Sequence, residues 1–107
     1  MTITIEANGK SYKIGFTRNS IKRMERNGFD FSKAESRQLT ATFDLIEGAF
    51  RTYQPKMSED EIFEVWGMLP KKDELTQLLL KMFNEPLAML NDPDEDAQGN
   101  AMWSMDA

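Results

Sequence analysis

The residues whose spacing suggests chemistry are mostly acidic. Asp92, Asp94 and Asp96 alternate as the first ligands of a calcium loop do, where oxygens must converge on one ion about 2.4 Å away. Such a loop next needs a turn glycine and then a bidentate glutamate. Those places hold Ala97 and Trp103, so a solvated acidic run is the better reading. Glu59, Asp60, Glu61 and Glu64 are candidates for proton transfer, yet no nucleophile or partner of matched pKa adjoins them. Lys71-Lys72 is a candidate for phosphate contact, but Asp73-Glu74 follows at once and leaves an ordinary mixed surface. Cysteine and histidine are both absent, which removes thiolate nucleophiles, Cys/His zinc sites, disulfides and Ser-His catalysis. No catalytic, cofactor-binding or metal-ligating residue is assigned, and the chain reads as a non-enzymatic binding or assembly module.

Whatever the chain binds must be held by one small domain, since its 107 residues supply a single core. With 40% hydrophobic and 29% charged residues it has the composition of a folded protein, and no apolar run approaches the roughly 18 residues of a membrane span. Met1 to Glu6 has neither a basic leader nor an apolar stretch, so a cytoplasmic location is expected. Residues 1–90 carry 13 basic and 13 acidic side chains, and the excess negative charge falls on Asp92, Asp94, Glu95, Asp96 and Asp106. A neutral body with an acidic end lacks the positive surface that nucleic acid or anionic lipid requires, and neither is expected as a partner.

The expected fold class is α+β: an N-terminal β-hairpin followed by about four α-helices. Asn8-Gly9 predicts a two-residue type I′ turn, because both central residues need positive φ. Pairing about it sets Ile5 opposite Tyr12, Ile3 opposite Ile14 and Met1 opposite Phe16, with Thr4 facing Lys13 and Glu6 facing Ser11. The apolar face needs a cover, because a lone hairpin is marginal in water. Thr17 predicts a helix N-cap and Asn27-Gly28 its end, with Phe29 as the closing apolar contact; residues 29–37 read as an irregular connection.

Leu39, Phe43, Ile46, Phe50 and Tyr53 recur at steps of four and three, predicting a central helix stopped at Gln54-Pro55. Gly48 inside it implies close approach of another backbone. Ser58 and Glu61 form a capping box, with Met57 and Ile62 as a hydrophobic staple, and the helix so begun carries Val65, Trp66 and Leu69. A last helix from Lys71 presents Leu75, Leu78, Leu79, Met82 and Phe83, and Pro86 is expected to kink or restart it.

The domain reading is therefore a hairpin plus helical body over residues 1–90 and an acidic, mobile tail over residues 91–107. Met102, Trp103 and Met105 lie in a segment too polar to form its own core. Trp103 is read either as an anchor for a partner's groove or as a side chain folded back on the body. On physical grounds Phe50, Tyr53, Trp66 and Trp103 are marked as candidate partner contacts.

Taken together, several segments resemble a family of short proteins from tailed phages and prophages of Gram-positive hosts, related to the tail assembly chaperones of long-tailed phages. The segments are Asn8-Gly9-Lys10-Ser11-Tyr12, Phe16 to Glu25 leading to Gly28-Phe29-Asp30, and Glu47-Gly48-Ala49-Phe50. They continue through Leu69 to Leu75, Glu85-Pro86-Leu87 and Gly99-Asn100 with Trp103. The resemblance implies a non-enzymatic protein of the host cell cytoplasm, absent from the mature virion. It would bind and solubilise the tape measure protein during tail morphogenesis and be displaced as the tail-tube protein polymerises, with possible self-association of chaperone copies. A groove between the central helix and the helix after Ser58, taking an amphipathic helix of the partner, is the expected mode. The rival expectations are a minor structural or head–tail completion protein of the virion, and a small host-takeover regulator.

Overall fold

A turn with two positive-φ residues fixes the start of the molecule. Asn8 (φ 54°) and Gly9 (φ 72°) join strands β1 (Thr2–Ala7) and β2 (Lys10–Gly15) in an antiparallel pair. The computed structural model describes residues 2–91 of the chain. Within them the register is the one the turn dictates: Ile3 with Ile14, Thr4 with Lys13, Ile5 with Tyr12, Glu6 with Ser11. The expected partnering of Met1 with Phe16 lies outside the described residues.

Helix α1 (Arg18–Arg26) begins in a full capping box: the Thr17 hydroxyl accepts from Ser20 N at 3.1 Å, and Thr17 N donates to Ser20 Oγ at 2.8 Å. It ends in a Schellman arrangement, with Phe29 N donating to the Met24 carbonyl and Gly28 N to that of Glu25, each at 3.0 Å. Gly28 takes φ 98°, the left-handed conformation this ending needs.

The expected irregular stretch contains a five-residue helix, α2 (Phe31–Glu35). Asp30 caps it, its Oδ1 accepting from Ser32 N at 3.0 Å and from Ser32 Oγ at 2.7 Å. The Ser32 hydroxyl bond, with the backbone bonds beside it, holds the Asp30 carboxyl below its usual range. So short a helix has no apolar period to read, which is why the count among the described residues rises from about four helices to five.

The central helix α3 (Leu39–Arg51) buries Ala41, Leu45, Ile46, Ala49 and Phe50. Helix α4 (Glu59–Gly67) starts where Ser58 Oγ accepts from Glu61 N at 3.2 Å, and both staple residues, Met57 and Ile62, are buried. Helix α5 (Lys72–Asn91) runs through Pro86 without interruption. Proline lacks the N–H that would bond the Met82 carbonyl, and the helix continues regardless.

The core forms where α3 and α5 cover the hairpin. Ile5, Ile14, Leu45, Phe50, Ile62, Val65 and Leu79 are all within it. Phe83 is the hub of the lower half, its ring 5.2 Å from Phe16, 5.0 Å from Phe29 and 5.5 Å from Phe31 between centroids. The cover that the hairpin requires thus comes from helices of its own chain. Gln54, just past α3, locks the hairpin in place: its Oε1 accepts from Lys13 N at 3.0 Å and its Nε2 donates to Lys13 O at 2.9 Å. A side-chain amide here occupies the outer edge of β2 as a neighbouring strand would.

Candidate functional site

Burial sorts the aromatic residues. Phe50 is 0% exposed and Trp66 8%, so both expected partner contacts are side chains of the core. Tyr53 is half-buried, with the Lys13 ammonium 4.8 Å from its ring centroid. Trp103 and the aspartates with calcium-loop spacing lie outside the described residues. Lys72 donates to the Leu69 carbonyl at 2.7 Å, closing the end of α4.

Among the described residues, the large apolar side chains left in solvent are Leu39 (68% exposed), Phe43 (42%) and Met68 (49%). Leu39 and Phe43 are one turn apart on α3, and the Phe43 ring meets Phe63 of α4 edge-on at 5.2 Å. One turn further along, the Glu47 carboxyl of α3 lies close enough to that of Glu59 on α4 for the two charges to act on each other. These two contacts set α3 and α4 antiparallel. Leu39, Phe43 and Glu47 then ascend one helix in steps of four while Gly67, Phe63 and Glu59 descend the other. The face therefore has an apolar half and an acidic half.

The acidic half carries Asp44 as well. Partial burial, then the Glu59 charge, raises the Asp44 carboxyl above its ordinary value. Glu47 is also raised, first by burial and then by Glu59 and Asp44, against the opposing pull of Arg51, whose guanidinium lies 3.6 Å away. That guanidinium is shared, its Nε donating to the Met57 carbonyl at 3.2 Å.

Behind this face, between α1 and α3, lies a cleft of about 220 Å³ lined by Arg23, Met24, Asp44, Glu47, Gly48 and Arg51 among others. Its hydroxyls serve the backbone: Ser20 Oγ donates to Thr17 O at 3.0 Å and Thr52 Oγ1 to Gly48 O at 2.7 Å. Gly48 is approached here by a side chain and not by the expected backbone. A β-carbon at that position would fall on the Met24 thioether.

Neutrality over residues 1–90 conceals a polarity that a whole-body charge count averages away. Between Arg18 and Arg37, six bases stand against Glu25, Asp30 and Glu35. Between Leu39 and Leu69, Asp44, Glu47, Glu59, Asp60, Glu61 and Glu64 stand against Arg51 and Lys56 alone. A sliding charge count finds this. The partial exposure of Phe63 has no such signal, because it stands beside the buried Ile62 and two residues from the buried Val65.

Among the described residues, no helix is long and apolar enough to cross a membrane, and no group of three or more acidic side chains is placed to hold a metal ion. Neither comparison with curated proteins nor comparison with solved structures returns a match. The family comparison does, over residues 1–107, and the chain belongs to the family described as a domain of unknown function (DUF5055).

Proposed function

We propose that this protein is a tail assembly chaperone that works by contact, binding the tape measure protein and keeping it soluble in the host cytoplasm until tail-tube subunits replace it. The observation that carries the reading is the row of exposed Leu39 and Phe43 on α3 with the half-buried Phe63 of α4 against Phe43, an apolar strip at the border of a core that is otherwise well filled. A tape measure protein is long and helical, and weak apolar contacts repeated along it by many chaperone copies would cover its aggregating surface. The lining hydroxyls of the cleft behind are committed to backbone carbonyls, and this reading gives no residue a bond-making role.

Co-expression with the tape measure protein tests it. The chaperone reading expects the tape measure in the soluble fraction only when this protein is present. An equally insoluble tape measure with and without it ends the proposal.

A further inference from the structure

The α3–α4 face pairs two kinds of surface that would be poor neighbours without a partner. Phe43 and Phe63 touch each other at the surface, and one turn away three carboxylates, Asp44, Glu47 and Glu59, crowd together. Among the described residues Arg51 supplies the single ion pair of this trio, to Glu47, at 3.6 Å. Arg23 of α1 lines the same cleft as Asp44 and Glu47, with no ion pair to either carboxylate among the described residues. Asp60, Glu61 and Glu64 extend the negative charge along the exposed side of α4.

We infer that this face is a docking surface for a basic amphipathic helix, whose apolar stripe lies along Leu39, Phe43 and Phe63 and whose lysines or arginines reach Asp44 and Glu59 one turn beyond. Two antiparallel helices with apolar side chains at successive turns offer the seam on which a third helix packs. Charge decides among possible occupants. The chain's own residues 92–107 contain five acids and no base, and would be repelled. A second copy offers this same acidic face, or the basic helix α1, whose exposed side is polar and leaves the phenylalanines uncovered. An anionic membrane is repelled as well. A helix carrying both leucine-like and cationic side chains satisfies both halves.

This inference deepens the chaperone reading and rests on its premise of function by contact; its test uses no phage component. The probes are a synthetic amphipathic peptide with a leucine stripe flanked by lysines, its twin with glutamate for every lysine, and a lysine peptide of the same composition with the stripe scrambled. Binding to the full chain is followed by NMR titration and calorimetry. The lysine peptide is expected to bind, with shifts at Leu39, Phe43 and Phe63, and to bind about tenfold or more weakly to the Phe43→Ser/Phe63→Ser variant. Glu59→Gln should weaken it several-fold, while Glu74→Gln on α5 should not; circular dichroism checks that each variant is folded.

Equal binding of the glutamate twin or of the scrambled peptide overturns the inference. So does a wild-type dimer that the double serine variant dissociates, which would assign the face to a second copy. A shift of the Trp103 indole resonance on Phe43→Ser would assign it to the chain's own C-terminal residues and overturn the inference equally. Should the peptide fail while the tape measure is still solubilised, the inference falls and the chaperone reading stands; the reverse pair of results removes the chaperone reading alone.

Discussion

Gly48→Ala tests how α1 is seated on α3, the contact that closes the back of the candidate face. In a helix interior alanine is favoured over glycine by about 1 kcal/mol. Against that gain, the new β-carbon would stand 2.5 Å from Met24 Cε and 3.3 Å from its Cγ, where carbon atoms rest at roughly 3.5–4.0 Å. Met24 is half-buried and lines the adjoining cleft, so its thioether can swing away. Doing so forfeits the packing of a sulfur and a methyl, about 1.5 kcal/mol at roughly 0.8 kcal/mol per group. The single substitution should therefore be close to neutral, destabilising by about 0.5 kcal/mol.

The informative quantity is the coupling. With Met24→Ala already in place the three atoms nearest that β-carbon are gone, and Gly48→Ala should stabilise by about 1 kcal/mol, a coupling of about 1.5 kcal/mol. Urea unfolding of the four proteins, followed through the buried Trp66, measures it, provided the denaturant slope is common to all. The same effect of Gly48→Ala in both backgrounds, within about 0.3 kcal/mol, would refute the claim that glycine is needed here to admit Met24.

Phe83→Ala should cost about 3–5 kcal/mol in the same assay, since a buried ring and its contacts with Phe16, Phe29 and Phe31 are lost together. Gln54→Ala should cost on the order of 1 kcal/mol and speed hydrogen exchange at Lys13 N, while Gln54→Glu should be worse, because a carboxylate would face the Lys13 and Phe50 carbonyls. Asp44 and Glu47 have folded-state pKa values above their unfolded ones, so their contribution to stability is fully present below the unfolded values and is lost as pH rises through the folded ones. Glu59→Gln removes the charge common to both: NMR titration should show both carboxyls titrating at lower pH, and that loss of stability should shrink. Unmoved titrations would show that the three carboxylates do not share one site.

Local signals make much of the fold legible. The hairpin register follows from Asn8-Gly9 and the alternation around it, and the end of α1 from Gly28-Phe29, because turns and caps are decided by a few adjacent residues. What depends on how helices pack is not legible. Phe50 and Trp66 stand out in the sequence for size, yet size is also what a core takes first, and both are buried. Phe43 belongs to the same helical stripe as Phe50, and periodicity alone does not tell which end of that stripe the hairpin covers. The pairing of Phe43 with Phe63, and of Glu47 with Glu59, needs the antiparallel register of α3 on α4, which no single segment encodes. Apolar stripes on both helices suggest a groove between them; the residues that face outward from it come only from the packing.

Replacing Phe43 with a photo-crosslinking benzoylphenylalanine, in cells that also make the tape measure protein, tests the central claim most directly. Irradiation should join the two chains from position 43 and leave them unjoined when the crosslinker stands instead at Lys81, which is exposed on α5. Crosslinks to the tape measure from position 81 and none from position 43 would contradict the assignment of partner binding to the α3–α4 face.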